Sequence, residues 1–348
     1  MTGLREKSSI LLIYTGGTIG MKEDPTIQAL RPFDFSQILA EVPELGKFAY
    51  RIDAVTFDPL IDSSDIDPDN WVTLASIIEE RYSDYDGFVI LHGTDTMSYS
   101  ASALSFMIEG LTKPVIFTGS QLPIGVPRTD GKENLISAVE IAAAKDEDGH
   151  AIVPEVCIYF DNILMRGNRT TKINSDHFRA FRSENLPPLA EAGISIRYNT
   201  GIIIRPDRWD KTPVFHKSLD TSVAILKIHP GITSQVVKGI LCAPESKAVI
   251  LETYGAGNAP SRGWFLDMVQ DAIKMGKILL NVTQCRAGSV NMDIYATGKW
   301  LKEAGVVSGY DSTTESALAK LFFLLGQSDT REEMGLRLEE NLRGEISK

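Results

Sequence analysis

Ile10-Leu11-Leu12-Ile13-Tyr14-Thr15-Gly16-Gly17-Thr18-Ile19-Gly20 sets an unbroken apolar run against a pair of glycines flanked by two threonines. A short apolar run bounded by turn residues reads as a buried strand, and the glycines take the chain out of it through a tight turn. Phe88-Val89-Ile90-Leu91, followed by His92-Gly93-Thr94-Asp95-Thr96, repeats the arrangement. Two strands thus end in hydroxyl-bearing loops, and one loop adds a carboxylate. Open α/β sheets bind ligands in the crevice outside the carboxyl ends of their strands, so both loops stand where chemistry is expected.

Outward from these two strands, runs at 52–57, 115–117 and 156–160 alternate with helical patterns, the signature of a mostly parallel sheet with crossover helices. Asp67 as N-cap, Pro68 at the first helical position and Trp71, Leu74, Ile77 and Ile78 at helical spacing predict one helix. Another is predicted over 98–109, stopping at Gly110. From Pro187-Pro188 to about 220 the pattern loses its period, which predicts an inter-domain connector with some strand content. Strands at 223–228, 248–252 and 278–282, helices near 233–241 and 264–275, and closing helices near 314–325 and 330–341 predict a second α/β domain. The fold class is α/β: a larger N-terminal domain over 1–200 carrying both threonine-bearing loops, a connector over 201–221, and a smaller C-terminal α/β domain over 222–348.

Composition narrows the partners. The formal charge of -11 argues against a nucleic-acid surface, which needs clustered Lys and Arg. Cys157, Cys242 and Cys285 are odd in number and widely spaced, so neither a disulfide framework nor a zinc pattern is supported, and a reducing cytoplasm fits. Cys285 is expected in the core of the second domain. Arg5, Glu6 and Lys7 precede an apolar run too short for a signal peptide, and no stretch reaches the roughly 18 apolar residues of a membrane span. A small-molecule substrate is the expected partner, with no nucleic acid and no membrane.

A threonine hydroxyl needs a neighbouring base and a place for negative charge to develop before it can act as a nucleophile. Asp95 directly follows Thr94, and Arg169-Thr170-Thr171-Lys172 offers a lysine flanked by hydroxyls. For Lys172 to work as a base near neutrality its pKa would have to fall by about three units from ~10.4, at about 1.36 kcal/mol each. Burial can do this, while the Asp95 carboxylate opposes it. Lys172 is therefore either the base or the electrostatic organiser of a proton relay. Asp62-Ser63-Ser64-Asp65, just before the Asp67-capped helix, has a plain reading as a capping segment. Its carboxylates and hydroxyls also suit the charged ends of a free amino acid. His92 alone at a strand end reads as a hydrogen-bonded packing residue.

Taken in order, Thr15-Gly16-Gly17-Thr18-Ile19, Asp62-Ser63-Ser64-Asp65, His92-Gly93-Thr94-Asp95-Thr96 and Thr171-Lys172 resemble the bacterial-type L-asparaginases, in particular their cytoplasmic type I branch. Thr118-Gly119-Ser120-Gln121, Gly167-Asn168-Arg169-Thr170-Thr171-Lys172, Tyr254-Gly255-Ala256-Gly257-Asn258 and Tyr295-Ala296-Thr297-Gly298 extend the likeness over essentially the whole chain. The resemblance implies hydrolysis of L-asparagine to L-aspartate and ammonia, with no metal and no organic cofactor. It implies Thr15 as nucleophile and Thr94 as second catalytic threonine, with Asp95 and Lys172 completing its relay. Asp62, Ser63 and Ser64, with Thr94 and Asp95, would grip the substrate's α-amino and α-carboxylate groups, and Asn258 and Tyr295 would bind it from the smaller domain. Self-association as a dimer or tetramer and a cytoplasmic location are implied as well.

Two departures stand out. Many relatives carry a nucleophile-orienting tyrosine in the loop after TGGTI, whereas 21–35 contains none, leaving Tyr295 or Tyr310 to supply a phenol. Some type I enzymes bind an activating asparagine through an arginine before the S/T-Y-G segment, and Glu252 occupies that place. A glutaminase or an amidotransferase component acting on aminoacyl-tRNA would use the same chemistry. The latter is expected to add a basic surface or an N-terminal domain, while this chain opens on its first strand. A non-catalytic amino-acid sensor would have no need of the filled relay positions.

Overall fold

The computed structural model describes residues 7–24, 29–32, 40–327 and 330–348, so part of the 21–35 loop lies outside the described residues. The chain divides into two compact units, one of 1–183 with 187–215 and one of 184–186 with 216–348.

In the larger unit, apolar runs buried on both faces become the interior of an eight-stranded sheet. Its order is Ile196–Tyr198, Ala190–Ala192, Ile163–Arg166, Val156–Phe160, Val115–Thr118, Gly87–Leu91, Ser9–Tyr14 and Arg51–Thr56. The last five of these are mutually parallel, and the first three are joined antiparallel. Numbered by chain order, the parallel strands run 2-1-3-4-5 across the sheet, so the winding reverses between Ser9–Tyr14 and Gly87–Leu91. Ligands in doubly wound sheets bind at that switch point. The Gly131–Ala143 helix packs on the four central strands, and Asp67 caps Pro68–Arg81 in a reciprocal capping box with Asn70.

Two predicted boundaries move. The second helix runs Met97–Met107, not to 109, because Ile108–Glu109 leaves the helix in extended geometry and pairs with Val214–Phe215. Parts of the aperiodic 186–220 region are sheet: Ala190–Ala192 hydrogen-bonds to Ile163–Arg166, and Ile196–Tyr198 lies beyond it at the edge. A buried ion pair fixes the stretch leading to Ile204. Arg166 Nε lies 2.5 Å from Glu155 Oε2 and Arg166 Nη2 3.2 Å from Oε1, while Ile204 N donates to Oε1 at 2.7 Å.

The smaller unit has four parallel strands in chain order, Val223–Lys227, Ala248–Thr253, Ile278–Thr283 and Val307–Ser308. Phe265 and Val269 from the Gly263–Lys274 helix and Val237 and Leu241 from Ser234–Leu241 pack with Leu251 and Leu279 in its core. Cys285 is exposed rather than buried there, since it lies beyond the end of Ile278–Thr283, in the turn after the strand. Among the described residues no helix is long and apolar enough to cross a membrane.

The carboxyl-terminal segment is held by a buried pair. Lys320 Nζ lies 2.6 Å from Glu345 Oε1, with the two side chains 4% and 0% exposed. Glu345 also accepts the N–H groups of Leu342 and Arg343 at 3.0 and 2.6 Å. Removing one partner of such a pair leaves the other charge buried. Lys320 would retain the carbonyls of Leu338 and Glu340, so Glu345→Ala is expected to lower stability by about 3 kcal/mol, the low end for buried pairs. Urea unfolding measures this, and a loss below about 1 kcal/mol would contradict it.

Candidate active site

At the switch point the backbone itself builds the site. Thr15 N donates to Leu91 O at 3.0 Å, and Ile61 N donates to Thr15 O at 2.8 Å, so the first strand continues one residue past Tyr14 between its neighbours. Gly16 and Gly17 then turn at φ 135° and 90°, which L side chains rarely tolerate. A Cβ on Gly17 would lie 2.5 Å from Gly93 Cα, and one on Gly16 would collide with Ile61 O. Gly93 in turn has Ser63 Oγ where its own Cβ would be. Thr96 Oγ1 donates to Ser63 O at 2.6 Å, closing the ring of contacts. The TGGTI turn, the Asp62–Ser64 segment and the HGTDT loop are thus packed together.

Lys172 enters from the two-residue strand Thr171–Lys172, which pairs with Phe181–Arg182. Its Nζ donates to Thr94 Oγ1 at 2.8 Å and to Asp95 Oδ1 at 2.7 Å. Thr94 Oγ1 donates onward to Gln121 Oε1 at 3.4 Å. Thr94, Asp95 and Lys172 therefore meet. Gln121, quoted in the sequence only as part of a motif, joins them; its signal was a third loop, Thr118-Gly119-Ser120-Gln121, leaving a buried strand.

Thr15 stands at the end of the strand ladder. It is 1% exposed, and its hydroxyl donates to Leu91 O at 3.0 Å. Backbone and side chain of this residue are thus fixed to one carbonyl of the neighbouring strand. Thr18, past the two glycines and opening the Thr18–Gly20 turn, is partly exposed. Asp62 is exposed and caps its turn, Oδ1 accepting Ser64 N and Ser64 Oγ, each at 2.9 Å. Ser63 is buried and Ser64 exposed. Asn258 and Tyr295 belong to the smaller unit: Asn258 Oδ1 accepts Thr297 Oγ1 at 3.2 Å, and the exposed Tyr295 is the N-cap residue of Ala296–Ala304, the helix that carries Thr297.

His92 is fully buried and neutral. Its Nδ1–H donates to Gly93 O at 2.7 Å, its Nε2 accepts Ser100 Oγ at 2.9 Å, and Ser100 Oγ accepts Trp71 Nε1 at 2.9 Å. This arrangement assigns the tautomer and braces the HGTDT loop from behind.

A family model described as "Asparaginase, N-terminal" matches residues 9–203, and one described as "Glutaminase/Asparaginase C-terminal domain" matches 222–335. The chain is 44% identical to L-asparaginase 1 of Escherichia coli strain K12, over 98% of this chain and 99% of that protein. It is 34% identical to an L-asparaginase of Thermococcus kodakarensis, over 97% of this chain and 99% of the relative. Among solved structures, L-asparaginase I of Vibrio cholerae superposes with a TM-score of 0.89 at 42% identity, over 98% of this chain and all of that one.

Burial holds the His92 imidazole down to about 4, against which its hydrogen bond to Gly93 works only partly. The unfolded chain takes up this proton near 6.5. Stability from this group is thus complete above about pH 6.5 and is lost as pH falls to about 4, by roughly 3 kcal/mol. Comparing urea unfolding of wild type and His92→Gln from pH 7 to 4 should show a shallower slope in the variant; equal slopes would contradict the assignment.

Proposed function

The chain belongs to the asparaginase family, and from that premise we propose that it is an amidohydrolase converting L-asparagine to L-aspartate and ammonia. The observation carrying the reading is Lys172 Nζ, 2.8 Å from Thr94 Oγ1 and 2.7 Å from Asp95 Oδ1, beside the packed TGGTI turn. Hydroxyl, ammonium and carboxylate in contact form a unit that can move a proton to or from a substrate at the switch point.

The family resemblance points to Thr15 as nucleophile; on the geometry we assign the role to Thr18 instead. Of the two threonines that flank the glycine pair, Thr15 is 1% exposed with its N and Oγ1 both donating to Leu91 O, whereas Thr18, on the turn beyond, is the partly exposed one. A hydroxyl so enclosed and bonded to a carbonyl is withheld from substrate, and Thr15 serves to anchor the turn that presents Thr18. Thr18 Oγ1 adds to the side-chain amide carbon and its proton passes to Thr94; Lys172 gives a proton to the departing nitrogen, which leaves as ammonia, and takes the Thr94 proton in its place. Water cleaves the aspartyl ester: its oxygen joins the acyl carbon and a proton restores Thr18. Asp62, with Asp95, supplies negative charge for the substrate's α-ammonium, and Ser63 and Ser64 supply donors for its α-carboxylate. Asn258 and Tyr295 are further substrate-binding residues in this reading, which also takes the chain to be a dimer or tetramer. Because both ends of the amino acid are held, the shorter amide is favoured, since a 1 Å displacement of a reacting group can lower the rate about a hundredfold.

Thr18→Val is expected to lower turnover by several orders of magnitude in a folded protein, while Thr15→Val retains far more of it. Ammonia release from asparagine and glutamine, followed for wild type and both variants, is the test. An active Thr18→Val beside an inactive Thr15→Val would move the nucleophile to Thr15, and no release from asparagine by wild type would end the asparaginase reading.

Glu252 bears on regulation. Its Oε1 accepts Thr314 Oγ1 at 2.7 Å, and Oε2 lies 3.4 Å from Lys227 Nζ. A carboxylate there repels the carboxylate of a second asparagine. Initial rates should rise hyperbolically with asparagine, and a Hill coefficient clearly above one would contradict this.

A further inference from the structure

Lys172 and Thr94 leave one proton to be accounted for. A protonated lysine donates and cannot accept, so at 2.8 Å Thr94 Oγ1 receives from Lys172 Nζ and must send its own proton elsewhere. The acceptor is Gln121 Oε1 at 3.4 Å. Which end of this amide faces Thr94 is fixed from the other side, because Gln121 Nε2 donates to His177 O at 3.1 Å. The backbone is held too: Gln121 N donates to the Asp130 carboxylate at 3.0 and 3.1 Å, and Leu122 N to Oδ1 at 3.1 Å. A bond of 3.4 Å is near the long limit. A closer acceptor arriving with substrate can therefore displace it.

We propose that Gln121 is a positioning residue that sets the direction of the Thr94 hydroxyl proton and keeps it off the Lys172 axis until substrate enters. Its effect on turnover rests on the asparaginase reading; the Thr94–Gln121 contact stands without it.

Gln121→Met keeps the volume and removes the acceptor. With asparagine, kcat should fall about tenfold while KM stays within about twofold, a loss of orientation rather than binding. Gln121→Glu offers Thr94 an acceptor, but its second oxygen faces His177 O and suits that carbonyl only when protonated. Its kcat relative to wild type should therefore recover as pH falls through the range of about 5 to 4, which a merely structural residue would not produce. A Gln121→Met enzyme with wild-type kcat, or a Gln121→Glu deficit that is constant with pH, would overturn the proposal. Independently of activity, urea unfolding of Thr94→Val, Gln121→Met and the double variant should be non-additive; additivity would sink the contact itself. Wild type releasing no ammonia from asparagine would remove the family activity instead, and the unfolding cycle would still decide for or against Gln121.

Discussion

Gly17 and Gly93 meet backbone to backbone, and the packing of the TGGTI turn on the HGTDT loop depends on that approach. A Cβ on Gly17 would stand 2.5 Å from both Cα and N of Gly93, closer than side-chain carbons approach backbone atoms, and φ of 90° independently asks for glycine. The closeness follows from topology. Ser9–Tyr14 and Gly87–Leu91 are adjacent parallel strands in register, so two loops leave neighbouring carboxyl ends at the same height and must share one space. A side chain at Gly17 would force the two loops apart, and one at Gly93 would displace Ser63.

Electrostatics refines what sterics assembles. Asp95 is 64% exposed and Lys172 19%, so solvent screens their attraction and the pair adds little to stability. Its value lies in orientation: Asp95 draws the ammonium to one place, and Thr94 lies in the direction of another of its N–H bonds. As donor to both, Lys172 suits the organiser role better than that of a resting base. The proton that Thr94 cannot give to Lys172 then ties it to Gln121, and through His177 O to the segment after Lys172.

The strands and their order of appearance were legible because the runs at 10–14, 88–91 and 156–160 are apolar on both faces, as burial in a parallel sheet requires. The end of the Met97–Met107 helix was not, since Ile108 and Glu109 pair with residues more than a hundred positions away. The same limit hid Ala190–Ala192, a three-residue strand with no apolar run to announce it. At the site, Thr15 and Thr18 flank the glycine pair and look alike in sequence. What separates them is one further rung of the ladder: Leu91 O takes Thr15 N and Thr15 Oγ1 alike, fixing Thr15 to the sheet and leaving the chain to depart only through the glycines. Gln121 was visible as a residue but not as a partner, because hydrogen-bond direction is a property of assembled atoms.

The Lys172–Thr94 hydrogen bond joins residues 78 positions apart, and a single helix braces both ends. Thr94 and Asp95 lead directly into Met97–Met107, while the Gly167–Arg169 turn that precedes Lys172 packs on the same helix. There a Cβ on Gly167 would lie 3.0 Å from both Ala101 Cβ and Val156 O, and Asn168 Nδ2 donates to Ser105 Oγ at 3.0 Å. Thr170 Oγ1 donates back to Arg166 O at 2.7 Å, and Arg166 is the residue gripped by Glu155. Hydroxyl and ammonium are thus two attachments to one stiff body, and their separation cannot drift with the loops that carry them. Catalytic groups must hold their places closely, since about 1 Å of misplacement is enough to forfeit most of the rate, and a buried helix touching both segments achieves this where two loops alone would not.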